Sequence, residues 1–570
     1  MHTVEIILLV LMLGAVTGVA SRYLTAIPLP LIQITIGALL SWPQAGLHIG
    51  FDPELFLLLF IPPLLFADGW RIPKRELFGL YRPVLLLAFG LVFLTVLGLG
   101  YLIHWMLPSM PLSVAFALAA VVSPTDAVAV SAITRNLGMP HKTMHILEGE
   151  SLLNDASGLV ALKFALAATL TGAFSALDAA RDFVWMCVGG LSLGALMGWG
   201  FSTARKNITR RLGDMAATQM VLLLVLLPFA VYLLAEVIGT SGILAAVAAG
   251  ITTNMADLDR GEFIHERLQT DSTWSMVESS FNGAIFLLLG LQLPTISRTM
   301  MESHSYHWWE LTSFVFIIGA ALLLVRWFWL TFVVYGRFFR THAPGKPPER
   351  PSQRLLVATT FAGIRGAVTL AAALSFPLML NAKTPFPARD LVVFLATGVI
   401  LLTLILGSIA LPLLLRGLPK PTADHAEEEE RLARIQACQQ AINSMAITDA
   451  EIASHDEKWL TQHQEIIGLL TKEYRRRIEM MEAHQPEGNE DPEEDAEGQS
   501  DSRAIIERKQ RYIIEQEMRL RGLQAERRAI YAQRRKNLIN DETMRGLVQE
   551  IDMAEISLKR RLAANRRQVA

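Results

Sequence analysis

Up to about residue 419 the chain alternates long apolar runs with short polar loops, and beyond it charged residues take over with apolar positions at helical spacing. Thirteen apolar runs stand out, near 4–21, 28–50, 54–68, 83–107, 111–134, 144–173, 182–204, 216–238, 240–255, 272–294, 311–335, 353–380 and 389–415. About 20 residues of helix cross the hydrocarbon core of a bilayer. The pattern therefore predicts an all-α polytopic membrane protein with about 13 transmembrane helices over 1–420, followed by a cytoplasmic helical regulatory tail over 421–570. The third and ninth runs are short for a span.

Charge adds orientation. If Arg22 is cytoplasmic, the loops on its side also hold Arg71, Lys74, Arg75, Arg82, Arg135, Arg205, Arg210, Arg260, Arg267 and Arg337, among others, whereas the opposite loops hold only Arg181, Arg298, Lys383 and Arg389. Basic residues accumulate on the cytoplasmic side, so the amino terminus is expected outside and, after an odd number of spans in the cell (inner) membrane, the tail inside. The start, Met1-His2-Thr3-Val4-Glu5, carries an acid and no Lys or Arg, which argues for a retained first span rather than a cleaved signal. With only Cys187 and Cys438, neither a disulfide framework nor a cysteine metal site is available.

In the tail, residues 487–502 combine acids with Pro and Gly and almost nothing apolar, the composition of a disordered linker. Around that linker Ile505, Tyr512, Leu520, Leu523, Ile530, Leu538, Leu547, Ile551 and Leu558 recur at roughly helical spacing, which predicts coiled or hairpin packing.

Two spans carry chemistry that the bilayer makes costly. The fifth holds Ser123-Pro124-Thr125-Asp126, and the sixth holds Glu150-Ser151-Leu152-Leu153-Asn154-Asp155. A charge at the bilayer centre costs about 3 kcal/mol on insertion scales and marks a functional position by default. Pro124 lacks an amide donor and clashes with the preceding turn, so the fifth helix should break there. Freed backbone groups at that depth must face protein or water, and beside Asp126 they form a hard-oxygen set suited to a small cation. The twelfth run is interrupted in the same way at Gly363-Ile364-Arg365-Gly366. Breaks in corresponding positions of two halves point to a transporter site built from inverted repeats.

On the sixth helix Ser151 and Asp155 are one turn apart and share a face, which Asn154 adjoins. A carboxylate stripped of water must be neutralised by a proton or a cation. If the two compete for Asp155, and only the occupied site changes exposure, exchange results. With Asn154 uncharged, one proton for one monovalent cation is the simplest count. Glu150 needs its own partner, and Arg365, a cation in the second broken region, is expected to form a structural ion pair with it.

These motifs, together with Ser241-Gly242-Ile243-Leu244-Ala245 and Phe60-Ile61-Pro62-Pro63-Leu64-Leu65-Phe66, resemble the monovalent cation:proton antiporter-1 family. That family contains NhaP-type bacterial antiporters and animal sodium/proton exchangers, and the likeness covers about 1–420. The resemblance implies an NhaA-like fold of inverted repeats with broken crossing helices, working as a homodimer by elevator-like movement. It implies a secondary active antiporter of Na+, with Li+ or K+ as alternatives, serving pH and sodium homeostasis. By position it makes Asp155 the essential ion-binding acid, with Asn154, Asp126, Thr125 and Ser151 beside it, and Glu150 with Arg365 the structural pair. Asp155 and Asp126 would then be the acidic Na+ ligands; Na+ and H+ are cargo, and no cofactor or nucleic acid is expected.

Asp68 sits out of register with the acid that animal exchangers carry before Gly69-Trp70 and is left out of the ion site. Glu278 and Asn282, one turn apart in the tenth span, are candidates for extending the polar network, and Lys163 and Arg326 have structural or interfacial readings. Two other classes also place acids in membranes, intramembrane aspartyl proteases and cation channels. The first lacks its Gly-X-Gly-Asp context at Asp155.

Overall fold

The computed structural model describes the chain except residues 1, 22, 24–26, 42–52, 135–136, 138, 173–175, 213–216, 258–263, 303–306, 335–351, 378, 382–383, 417–423, 449–451, 454–456, 484–501 and 570. The sequence boundary near 420 and nearly all of the acidic stretch at 487–502 lie outside the described residues.

The fold is helical. In chain order the elements are α1 (His2–Ala20), α2 (Leu29–Leu40), α3 (Pro53–Arg71), α4 (Lys74–Gly79), α5 (Tyr81–Leu85), a π-helical turn (Leu86–Leu91), α6 (Val92–Met106), α7 (Leu112–Val122), α8 (Ala127–Thr134), α9 (His141–Thr171), α10 (Ala176–Leu212), α11 (Ala217–Ile238), α12 (Gly242–Asp257), α13 (Ile264–Glu302) and α14 (Trp308–Trp329). A second π-helical turn (Leu330–Val334) precedes α15 (Gln353–Phe361), α16 (Ala367–Leu374) and a short antiparallel pair, β1 (Met379–Asn381) and β2 (Thr384–Pro385). Then come α17 (Arg389–Leu415), α18 (Asp424–Met445), α19 (Glu457–Glu482), α20 (Ser502–Arg535) and α21 (Asp541–Val569). Among the described residues eight helices are long and apolar enough to cross a membrane, and the shorter helices Leu8–Ala20, Leu29–Leu40 and Gly242–Ala256 are apolar too.

The chain divides into two units, the first made of Met1–Ile72, Glu76–Asp257 and Gln269–Pro421. Within it, α3, α10, α11 and α12 pack on one another, and α6, α7, α8, α9, α14, α15, α16 and α17 form a second group. The first group meets at glycines. A Cβ at Gly190, Gly194 or Gly198 of α10 would run into the backbone of α12 at Ser241, Ala245 or Ala249, and Gly250 of α12 lies against Phe66 of α3. Lipid gives no hydrophobic drive between helices, so close backbone approach at small residues supplies the packing. α13 joins this group where Trp274 stacks on Phe66 of α3 at 5.1 Å, and its Gly290 lies against Gly37 of α2. Large apolar side chains such as Trp185, Leu196, Trp199 and Leu222 stay outward, 59–64% exposed, a face suited to lipid.

The second unit comprises 73–75, 258–268 and 422–570. The expected helical spacing produces a bundle in which Ala433 and Ala437 of α18 pack with Ile530, Met544, Leu547 and Ile551 of α20 and α21. Asn537, at φ 56°, takes the left-handed conformation that Asn tolerates and closes α20. Asn540 then caps α21 by accepting from Thr543 N at 2.6 Å. The starts of α4 and α13 are hydrogen-bonded into this unit: Lys74 N donates to Asp541 Oδ2 at 2.8 Å, and Arg267 donates to Asp552 Oδ2 at 2.8 Å and to Tyr531 at 2.7 Å.

Candidate functional site

Two broken helices meet at the centre of the second group. α7 ends at Val122 and α8 begins at Ala127, while α15 ends at Phe361 and α16 begins at Ala367. The Asp126 amide donates to the Ile364 carbonyl at 2.7 Å, which ties the two interruptions together. The Asp126 carboxylate caps α8, accepting from Val128 N at 2.8 Å and Ala129 N at 3.2 Å. It also lies against Gly366, where any Cβ would collide with it. An acid is thus placed where the positive ends of α8 and α16 converge.

Arg365 serves the breaks rather than Glu150, which corrects the pairing expected from sequence. Its guanidinium donates to the carbonyls of Val122 (2.9 Å) and Gly363, and its amide donates to Thr403 Oγ1 at 3.2 Å. Carbonyls freed at membrane depth need donors, and one arginine satisfies a carbonyl in each break. Glu150 pairs instead with Arg326 of α14 through two bonds, the second at 2.9 Å, with side chains 1% and 2% exposed. Arg326 Nε also donates to Thr359 O at 3.2 Å, so the pair joins α9, α14 and α15. Arg326 carried the same signal as Arg365, a cation inside an apolar run.

From this pair a hydrogen-bonded chain leads back to the first break. Thr125 Oγ1 donates to Glu150 Oε1 at 3.3 Å and accepts from Asn154 Nδ2 at 2.9 Å. Asn154 is fully buried, and among the described residues its Oδ1 has no hydrogen-bond partner. Ser151 Oγ accepts from Ala127 N at 3.2 Å. Further along α9, Ser157 Oγ donates to the Ala88 carbonyl at 2.6 Å, in the π-helical turn, whose widened ladder presents that oxygen.

A cavity of about 30 Å³ lies beside these residues, lined by Leu64, Leu65, Asp68, Thr125, Asp126, Val128, Ser151, Asp155, Asn282, Gly366, Val368 and Thr369. One water requires about 10–15 Å³, so the cavity has room for a single ion stripped of most of its hydration shell. Of the sequence-predicted residues, Thr125, Asp126, Ser151 and Asp155 line it, whereas Asn154 stands behind Thr125. Asp155 is 7% exposed, and among the described residues no group hydrogen-bonds its carboxylate.

Asp68, set aside from sequence, is on the cavity wall, and Asn282 of α13 is opposite the broken helices. The signal for Asp68 was available: an acid one turn before Arg71 at the end of an apolar run. Glu278, one turn before Asn282, is paired with Arg71. Lys163 and Glu236 bond each other at 2.9 and 3.0 Å at an exposed position. Among the described residues no group of three His, Cys, Asp or Glu is placed to hold a metal.

Residues 7–417 match the family model for the transmembrane sodium/hydrogen exchanger. The chain belongs to that family. It is 43% identical over 97% of its length, and 98% of the other, to YjcE of Escherichia coli K12, an uncharacterized Na(+)/H(+) exchanger. It is 44% identical to the sodium, potassium, lithium and rubidium/H(+) antiporter of Bacillus pumilus, over 77% of this exchanger and 65% of that protein. The sodium proton antiporter MjNhaP1 of Methanocaldococcus jannaschii superposes with a TM-score of 0.56 at 18% identity, over 73% of this chain and 99% of that one. This likeness shows the NhaP-type fold, and the family match together with several apolar helices makes the chain a membrane protein. Nothing in it favours a protease or a channel.

Proposed function

We propose that the exchanger is a secondary active antiporter that trades Na+, with Li+ and K+ as further substrates, for H+ one for one through Asp155. The observation that carries this reading is the Asp155 carboxylate, nearly buried and, among the described residues, without a hydrogen-bond partner, on the wall of a cation-sized cavity. Such a carboxylate must be neutralised. A proton does so alone; a cation does so with the oxygens of Ser151, Thr125 and Asp126 around it. Asn154, which orients Thr125, adds no charge, so a single exchange leaves the charge balance unchanged.

Glu150 with Arg326 and the Arg365 contacts hold the breaks and take no part in exchange. The cavity lies between the two helix groups of the first unit, so sliding of one group past the other would change its exposure. Thirteen spans in the inner membrane, an external amino terminus, a cytoplasmic tail beyond about 420 with regulatory function, and a homodimer complete this reading.

The test is purified protein in liposomes carrying an inward-acid pH gradient. Added Na+, Li+ or K+ should dissipate the gradient at a rate insensitive to membrane voltage, and Asp155→Ala should abolish the response. Exchange by Asp155→Ala at the wild-type rate would overturn the mechanism. A voltage-driven flux without proton coupling would instead make the protein a channel.

A further inference from the structure

The cavity has two walls of different origin. Thr125, Asp126, Ser151, Asp155, Gly366 and Thr369 belong to the broken-helix group, whereas Asp68 of α3 and Asn282 of α13 face them from the other group. The backbone around Asn282 is fixed closely. Its neighbour Gly283 lies against Gly14 of α1 and the Gln33 side chain of α2, and its other neighbour Phe281 packs edge-on to Phe60 of α3 at 5.1 Å. Further along α13, Gly290 admits the backbone of α2. Any Cβ at that position would collide with it.

Asn282 is only partly exposed, and among the described residues neither end of its amide has a hydrogen-bond partner. The amide is therefore available to a ligand, and it stands on the wall of a cavity that already presents three carboxylates. Selectivity among alkali cations follows the number and field strength of the ligand oxygens. Carboxylates alone form a strong field, which best repays the hydration lost by the smaller ions. A neutral amide oxygen adds a ligand while weakening the mean field, which favours larger ions that surrender water more readily.

We propose that Asn282 is a specificity-determining residue, whose carbonyl oxygen completes the cation shell from the α13 side and admits K+ and Rb+ alongside Na+. The proposal rests on the antiport reading given above. It also makes the cation a bridge between the two helix groups, because its ligands come from both.

The experiment compares wild type, Asn282→Ala, Asn282→Asp and Asn282→Ser in liposomes, reading the concentration of Na+ and of K+ that gives half-maximal exchange. Thermal unfolding of each variant is recorded alongside. Wild type should exchange both ions. Asn282→Ala should raise the K+ value about tenfold, equivalent to about 1.4 kcal/mol, while the Na+ value stays within about threefold. Asn282→Asp should sharpen the preference for Na+ and Li+, and Asn282→Ser, which keeps an oxygen and asks least of the fold, should lie between Ala and wild type.

Equal changes for the two ions, or none, would make Asn282 structural and overturn the proposal. Exchange of Na+ but not K+ by wild type would overturn it too, leaving antiport intact. No exchange of any cation by wild type would instead refute the antiport reading itself.

Discussion

Glu150 and Arg326, 176 positions apart in the chain, form an ion pair in which both side chains are almost wholly buried. Neither charge has water to fall back on, so removal of one partner leaves the other bare. Glu150→Gln and Arg326→Gln are each expected to destabilise the protein by about 3–5 kcal/mol. Replacing both by apolar residues of similar volume should restore much of the loss. Thermal unfolding in detergent measures this, and a double variant no better than the singles would show that the pair is not the unit that matters.

Gly366 provides a separate test of the crossing. A methyl group there meets the Asp126 carboxylate, which is itself held by two amides of α8. Gly366→Ala should therefore displace Asp126 and reduce exchange by at least about tenfold, with a stability loss of about 1–3 kcal/mol. Gly98, which has open space around its missing Cβ, serves as the control. Its replacement by Ala should leave transport unchanged.

Thr125 links Asn154 to Glu150. Thr125→Val keeps the shape and removes both bonds, leaving the Asn154 amide unpaired and costing about 1–3 kcal/mol. Thr125→Ser should restore stability and transport together. Recovery of stability without transport would mean that the methyl group, not the hydroxyl, positions the site.

The second unit should show its own pH dependence. Burial pushes Lys74 down to about 7, against a smaller upward pull from Asp541. Between about 7 and the ordinary lysine value of 10.5 the unfolded chain carries a proton that the folded chain lacks. Stability should therefore rise with pH across that window, and below it the cost of burying the charge is present in full. For Asp541 burial acts upward but the bonds from Arg534 and the Lys74 amide outweigh it, so its carboxyl lies below the usual range. Its stabilising contribution persists above the ordinary aspartate value and disappears as acid reaches the folded one. Lys74→Met, which keeps the backbone bond to Asp541, should flatten the alkaline slope in limited proteolysis of the full-length protein.

Hydropathy revealed the long spans and the helical tail, because burial in lipid and packing along a helix both impose regular spacing on apolar residues. Pro124 and the Gly363–Gly366 interruption likewise exposed both helix breaks, since the loss of an amide donor or a side chain is visible in the residue itself. The cavity-lining residues of the broken group were legible for the same reason: Asp126, Ser151 and Asp155 are polar where the bilayer penalises polarity.

Partnership was less accessible. Arg326 and Arg365 looked alike in sequence, each a cation in an apolar run, and only the crossing decided that the first meets Glu150 while the second donates to the carbonyls of Val122 and Gly363. Asp68 and Asn282 became part of the cavity only when α3 and α13 were brought against the broken helices. The sequence by itself determined which groups are too costly to leave in lipid without a purpose, because that cost belongs to the residue type and its span. Which of those groups share one cavity and which neutralise each other was decided by tertiary structure alone, because charges and hydrogen bonds act over a few ångströms in space, whatever the separation along the chain.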